Sequence, residues 1–326
     1  MKKIPLRTDP ARFQQLVDYP FAEHYLYVRH PDYEPLRLHY LDERSHIEDG
    51  CDEFTLLLLH GCPGWSYLYR KVIHTLQQLP KLPFGLRIVA PDHIGCGKSD
   101  KLRERTDYSY EFYVACMQEL LAILDLQNIV LVGQDWGGPI GLRLVAQSPQ
   151  RFSGIVLTNT LLPNCEAAPA GIDGWPGKII TQWVQYTRNA QQITTSHIIQ
   201  GVCQTTLAPD FLAAYDAPFP DAHYQQGILH WPSLIPLDAS YPGVAENRAA
   251  WQFLEHSPVP LLTAFSDRDP STAGWEQVFQ RRARGAAGQA HCLIEGAGHM
   301  VQEDRGEQLA QVIRDFVGAL HTRAKS

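Results

Sequence analysis

The 326-residue sequence lacks the long apolar segments that membrane proteins need. No stretch reaches the roughly 18 apolar residues of a membrane-spanning helix. The basic start of the chain, MKKIPLRTDP, is not followed by the apolar region of a signal peptide. Internal repeats and linkers rich in glycine and serine are absent as well. We therefore expect a cytoplasmic protein that does not act at a membrane.

Excess positive charge and paired cysteines are also missing. The chain has 28 Lys and Arg against 35 Asp and Glu, a formal net charge of −7, so it offers no basic surface to nucleic acid. Its seven cysteines are odd in number and scattered, without a CxxC pair. This pattern indicates neither a disulfide framework nor a zinc site. We expect free thiols and no nucleic-acid partner.

The sequence does contain short apolar, β-branched runs that alternate with longer helical patterns. Buried strands are predicted over residues 55–59, 87–90, 129–133, 155–159, 260–264 and 290–294. Residues 24–30 and 36–41 alternate like an opening hairpin, and helices are predicted over 108–125 and 306–320. This alternation is typical of an α/β fold with a mostly parallel sheet of eight strands flanked by helices.

The strand pattern stops between about residues 164 and 237. Trp, Tyr, Gln and Pro accumulate there in helix-length segments. We predict an inserted helical cap over residues 164–237, which divides the sheet domain into residues 1–163 and 238–326. Because no flexible linker flanks the insertion, we expect it to pack on the sheet domain.

The strongest local motif is IVLVGQDWGG, residues 129–138, in which a predicted strand is followed by GQDWG and then by a helix. Small residues on either side allow the strained turn of a nucleophile elbow, which lifts one side chain above the sheet. That residue is Asp135, whose carboxylate can attack without first losing a proton to a base. Its natural target is an sp3 carbon that carries a leaving group. The alternative is a tight turn in which Asp135 only caps the helix.

A base and a second carboxylate follow later in the chain. His299 lies in the segment EGAGH after the last predicted strand, and we predict that it is the general base. The alternative is an ordinary surface histidine. The segment FSDRDP, residues 265–270, supplies a carboxylate to orient the imidazole. We favour Asp269 over Asp267, which would then be a turn or capping residue.

An oxyanion hole is predicted at the loop HGCP, residues 60–63, after the first buried strand. A backbone N–H of this loop, that of Cys62, would act together with the N–H of Trp136. The Cys62 thiol need not react, since His60 is its sole basic neighbour and is expected to brace the loop.

Together these motifs resemble the haloalkane dehalogenases of the α/β-hydrolase superfamily. The resemblance rests on HGCPGWSYLYRK (60–71), GCGKSDK (95–101), QDWGG (134–138) and GAGH (296–299), and it runs from about residue 20 to the C-terminus. In the cap, AYDAPFPD (214–221) resembles the subgroup that cleaves short haloalkanes. In that subgroup the acid follows the later strand, which fits Asp269, whereas Asn159 occupies the place where other subgroups carry a carboxylate.

The resemblance implies two ring N–H donors for the departing halide. Trp136 follows the nucleophile directly, and counting back from the cap motif places the second donor at Trp183, with Trp175 as the alternative. Two positions depart from the family: Cys62 stands where Glu or Asn is usual, and Ile180 where an aromatic residue is usual. The implied partners are a small apolar halogenated substrate, water and a halide ion. We expect no metal, no organic cofactor and a monomeric protein.

Two other functions remain open at this point. An epoxide hydrolase shares the Asp nucleophile but needs acidic cap tyrosines, for which Tyr186, Tyr215 and Tyr224 are available. A non-catalytic binding protein of this fold, such as a small-molecule receptor, is the other alternative, with a luciferase of dehalogenase-like fold as a further one. A receptor, however, has no need for Asp135, His299 and Asp269 together.

Overall fold

The computed structural model describes residues 2–45, 52–80, 83–166 and 177–325 of the chain. Within these residues one eight-stranded sheet forms the centre of the molecule. Its strands are β1 (His24–Val28), β2 (Leu36–Arg44), β3 (Glu53–Leu59), β4 (Gly85–Pro91), β5 (Ile129–Gln134), β6 (Phe152–Thr158), β7 (Leu261–Ser266) and β8 (Cys292–Ile294). Strands β5 and β7 are buried along their whole length, because helices cover both faces of the sheet.

The sheet is mostly parallel. The strand order is β1-β2-β4-β3-β5-β6-β7-β8. Strands β1 and β2 form an antiparallel hairpin, and β2 pairs antiparallel with β4. The remaining pairs are parallel. The carboxyl ends of β3 and β5 to β8 therefore meet at one edge of the sheet.

Helices flank the sheet and also cover this edge. Those of the described residues are α1 (Arg70–Gln78), α2 (Tyr110–Ile123), α3 (Gly137–Gln147), α4 (Lys178–Asn189), α5 (Thr195–Val202), α6 (Pro209–Asp216), α7 (Gln226–His230), α8 (Val244–His256), α9 (Trp275–Arg282) and α10 (Val301–Lys325). Helices α4 to α7 follow β6 without an intervening strand, and we call residues 178–230 the cap helices. No helix in the described part of the chain is long and apolar enough to cross a membrane.

The predicted fold class is confirmed, with shifts at the ends of elements. The strand predicted over 155–159 begins at Phe152. The helix predicted over 306–320 begins after a kink at Arg305 that divides α10, and it extends to Lys325. The strand predicted over 290–294 is shorter, since β8 begins at Cys292. There the His291 ring takes the place of a strand partner, because its Nδ1 accepts a hydrogen bond from the Thr263 N–H at 3.1 Å.

Candidate active site

Asp135 lies in the sharp turn between β5 and α3. Its φ is +49°, in the left-handed region that only a tightly held non-glycine residue adopts. The neighbouring glycines allow this turn to approach β3: a Cβ on Gly137 would lie 2.0 Å from the Leu59 carbonyl oxygen, and one on Gly61 would lie 2.0 Å from Asp135 Oδ1. The turn therefore has the geometry of a nucleophile elbow.

The two carboxylate oxygens of Asp135 have different surroundings. Oδ1 accepts a hydrogen bond from the backbone N–H of Cys62 at 2.8 Å. Oδ2 lies 3.5 Å from Nε2 of His299. The Asp135 carbonyl oxygen is held by the Thr160 hydroxyl at 2.6 Å. One oxygen is thus fixed by the loop after β3, and the other is directed toward the imidazole.

His299 follows β8 and joins the two carboxylates. Its Nδ1 lies 2.9 Å from Asp269 Oδ2, and Asp269 follows β7. Ser271 Oγ and Thr272 Oγ1 also donate hydrogen bonds to the Asp269 carboxylate. Asp267 has a different role, because its Oδ1 accepts the Gly296 N–H at 2.7 Å and stabilises the turn before the histidine.

These contacts change the protonation of the His299 and Asp269 side chains. Burial lowers the pKa of His299, but the charge of Asp269 and the hydrogen bonds to Asp135 and Asp269 outweigh burial and raise this pKa to about 10. Burial likewise opposes ionisation of Asp269, yet the charge of His299 and the hydrogen bonds from His299, Ser271 and Thr272 hold its pKa well below the usual range. The resting site therefore holds a protonated imidazole next to Asp269.

A cavity of about 530 Å³ lies between the carboxyl edge of the sheet and the cap helices. The residues that line it include Cys62, Asp135, Trp136, Ile180, Trp183 and His299. Trp183 lies on α4, stacked on Tyr186 with ring centroids 5.8 Å apart. Trp175, the alternative to Trp183, falls outside the described residues.

The cap tyrosines considered for an epoxide hydrolase lie elsewhere. Tyr215 is fully buried and donates its hydroxyl hydrogen to Glu303, and Tyr186 is about half exposed. Tyr224 packs against the hydrophobic core. None of the three is among the described residues that line the cavity. Within the described residues, the cavity accordingly offers no cap tyrosine hydroxyl to an epoxide oxygen.

Cys62 and His60 hold the loop after β3 in place. The Cys62 thiol donates to the Ile228 carbonyl at 3.4 Å, a contact with α7, and burial raises the pKa of this thiol well above its usual value. His60 Nε2 accepts the His93 N–H at 3.1 Å, and its Nδ1 lies 2.8 Å from the Gly61 carbonyl. The thiol therefore stays protonated, and His60 braces the loop.

Sequence reasoning missed several residues around the base. Gln134 Nε2 lies 3.3 Å from His299 Nε2. Asn159 and Asp304 both bond the backbone of the segment Gly298–His299. Proximity in sequence to Asp135 or His299 could have indicated Gln134 and Asp304, whereas the family resemblance marked the position of Asn159 but not its bonds to this backbone.

The fold and the site together define an α/β hydrolase with a carboxylate at the nucleophile elbow. The family model described as alpha/beta hydrolase fold matches residues 55–306. The chain is 42% identical to a haloalkane dehalogenase of Psychrobacter cryohalolentis, over 96% of this chain and 97% of the relative. It is 38% identical to a haloalkane dehalogenase of Mycolicibacterium paratuberculosis, over 97% of this chain and 99% of the relative.

A solved structure is similar as well. The tetrameric haloalkane dehalogenase DpaA from Paraglaciecola agarilytica NO2 has a TM-score of 0.81 and 32% sequence identity, covering 94% of this chain and 96% of that one. This chain therefore belongs to the haloalkane dehalogenases of the α/β-hydrolase fold, and it is a hydrolase.

Proposed function

We propose that this enzyme hydrolyses the carbon–halogen bond of small apolar haloalkanes to an alcohol and a halide ion, through a covalent ester on Asp135. The observation that carries the proposal is the Asp135 carboxylate facing a cavity lined by the rings of Trp136 and Trp183. A carboxylate is a nucleophile for an sp3 carbon, and indole N–H groups are donors only, which suits an anionic leaving group.

In the first step, Asp135 Oδ2 attacks the carbon that bears the halogen. Oδ1 is already held by the Cys62 N–H, so Oδ2 is the oxygen free to react. A carbon–oxygen bond forms and the carbon–halogen bond breaks, with its electron pair leaving on the halide. Trp136 and Trp183 donate ring N–H groups to the departing anion. The product is an alkyl ester on Asp135.

In the second step, His299 acts as general base on a water molecule. Once Asp135 is an ester, its negative charge no longer raises the pKa of His299, so the imidazole can give up its proton and then accept one from water. The water oxygen attacks the ester carbonyl carbon, and the oxyanion is held by the N–H groups of Cys62 and Trp136. Collapse of the intermediate releases the alcohol and restores Asp135, and a proton leaves with the halide.

The other functions have weaker support. The absence of the three cap tyrosines from the described cavity lining disfavours an epoxide hydrolase. A receptor would not need the connected set of Asp135, His299 and Asp269. The monomeric state stays a prediction, which light scattering after size exclusion would test; the solved relative DpaA is described as tetrameric.

The test compares bromide release from a short bromoalkane with diol formation from an epoxide of the same length. We expect bromide and no diol. In His299→Gln we expect one equivalent of bromide per enzyme and then a stop, because the alkylation step needs only the carboxylate. The intact mass should then increase by one alkyl group.

The control is His223→Gln, which changes an exposed cap histidine and should turn over normally. If bromide is released at the wild-type rate in His299→Gln and no adduct forms, His299 is not the base. Diol formation without bromide release would instead support the epoxide hydrolase.

A further inference from the structure

All four backbone N–H and carbonyl groups of Gly298 and His299 form hydrogen bonds. The Gly298 N–H donates to Asp304 Oδ2 at 2.8 Å, and the His299 N–H donates to the Val202 carbonyl at 2.9 Å. Both carbonyl oxygens of the pair accept hydrogen bonds from Asn159 Nδ2, each at 2.9 Å. The base is therefore held by α10, by the end of β6 and by the cap.

Asp304 connects two of these supports. Its Oδ1 accepts hydrogen bonds from the backbone N–H groups of Gln204 at 3.1 Å and Thr205 at 2.7 Å. Its Oδ2 accepts from Gln204 at 2.9 Å and from Gly298 at 2.8 Å. The residue is buried, with 7% of its surface exposed. A single carboxylate thus bonds three N–H groups, and hydrogen bonds to an ionised acceptor are the stronger kind.

The segment bonded by Asp304 is also a wall of the cavity. Val202 and Gln204 line it, and the Val202 carbonyl approaches Gly298 so closely that a Cβ there would lie 2.3 Å away. The loop that carries the base and the cap segment Val202–Thr205 are therefore packed directly on each other.

We propose that Asp304 is a positioning residue for the hydrolytic step: it ties the loop that carries His299 to the cap segment Val202–Thr205 and so directs the imidazole at the ester. The inference rests on the proposed function, because it assigns Asp304 to the second of the two steps. Alkylation needs Asp135 but not the base, so loss of Asp304 should slow hydrolysis of the ester and leave alkylation nearly unchanged.

The substitution Asp304→Asn tests this assignment. An amide has one acceptor oxygen, so its NH₂ group must face either the Gly298 N–H or the N–H groups of Gln204 and Thr205. In either orientation, the substituted side chain loses its hydrogen bonds either to the loop that carries His299 or to the cap segment. Because a small misplacement of a catalytic group can be costly, we expect ester hydrolysis to slow about ten- to hundredfold, with alkylation within about twofold of wild type.

Rapid-quench measurement of halide release from a short bromoalkane gives the rate of alkylation from the burst and the rate of ester hydrolysis from the steady state. The intact mass of the protein reports the alkyl ester. Asp304→Asn should keep the halide burst, turn over slowly and accumulate the alkyl ester. Asp315→Asn, an exposed position on the same helix, loses the same charge and should behave like wild type. Asp304→Glu keeps the charge and both acceptors and should recover part of the hydrolysis rate.

A merely structural role would slow both steps together or lower only the amount of folded protein, and either result overturns the proposal. An unchanged hydrolysis rate overturns it too. If Asp304→Asn does not fold, Asp304→Ser decides, because its hydroxyl has a single oxygen and no charge: slower hydrolysis with a normal burst supports the assignment, and two unchanged or two equally slowed steps contradict it. A wild-type protein that releases no halide would contradict the proposed function instead.

Discussion

In the proposed mechanism, His299 changes its acid–base behaviour during turnover because Asp135, one of the two carboxylates beside it, loses its charge. In the free enzyme the hydrogen bonds and charges of Asp269 and Asp135 outweigh burial and raise the pKa of His299 to about 10. Esterification of Asp135 removes one of these contributions, while burial still favours the neutral ring. The imidazole is thus converted into a base by the step that precedes its use.

Asp269→Asn should slow hydrolysis of the ester on Asp135 without preventing the alkylation step that forms it. Without the negative charge at position 269, the pKa of His299 falls from about 10, and the charged acceptor that orients Nδ1 is replaced by a neutral amide, which can present either its oxygen or its NH₂ group to the ring. We expect turnover to fall by about 10²- to 10⁴-fold, with a halide burst that remains. NMR titration of the histidine should show the lower pKa.

The pH dependence of stability has a definite sign. The pKa of His299 is higher in the folded protein, about 10, than the reference value of about 6.5 for an unfolded chain. Its charge therefore stabilises the fold fully below about pH 6.5, and this contribution is lost as the pH rises through about 10. Asp269→Asn should flatten this decline. The matched control is Asp267→Asn, which leaves the contact at His299 Nδ1 intact; equal effects of both variants would exclude Asp269 as the orienting acid.

At the scale of elements, α4 carries Trp183 and is held by the sheet domain at its C-terminal end. The Arg105 guanidinium donates to the carbonyl oxygens of Arg188 at 3.0 Å and Ala190 at 2.6 Å. A cation at this end of a helix also interacts favourably with the helix dipole. The position of Trp183 at the cavity therefore depends on Arg105, a half-buried residue of the sheet domain.

Trp183→Phe keeps most of the apolar bulk of α4 but removes its ring N–H. If this N–H donates to the halide, about 1.5 to 3 kcal/mol of binding free energy is lost, which corresponds to about ten- to a hundredfold weaker halide binding. Bromide quenching of the intrinsic fluorescence measures the affinity. Trp175→Phe is the parallel control: if it weakens binding and Trp183→Phe does not, the alignment of the cap is wrong.

Features of the fold and the site that have a local sequence pattern could be predicted from the sequence, and features that depend on distant contacts could not. The elbow at Asp135 was predictable because a strand, small residues and a helix are adjacent in the chain. Six strands were predictable because buried strands are apolar runs in the sequence, and the first two were predictable from their alternating hairpin pattern. The choice of Trp183 depended on counting back from the cap motif at residues 214–221, and such a count does not say which side chain meets the cavity. The connection between Asp304 and Gln204 joins residues 100 positions apart and leaves no local pattern.

For the molecule as a whole, a buried ion pair of the sheet domain contacts the cap. Both oxygens of Glu303 in α10 accept hydrogen bonds from Arg70 in α1, and Tyr215 of α6 donates to the same carboxylate. The Arg70 guanidinium also lies over the ring of Phe211, 4.9 Å from its centroid. Burial opposes the charge on Glu303, but the hydrogen bonds from Arg70 outweigh it and lower the pKa of Glu303.

Arg70→Met should therefore destabilise the whole molecule, because it removes the buried cation that bonds both Glu303 oxygens and leaves the carboxylate with the more exposed Lys71, 3.3 Å from Oε2. We expect the free energy of unfolding to fall by about 3 to 5 kcal/mol, measured by urea denaturation. The double variant Arg70→Met with Glu303→Leu removes both charges and should recover part of this loss. Arg87→Met breaks a less buried pair with Asp42 and should cost at most about 1 kcal/mol. A loss for Arg70→Met as small as that for Arg87→Met, or no recovery in the double variant, would show that the unpaired buried charge is not what lowers the free energy of unfolding.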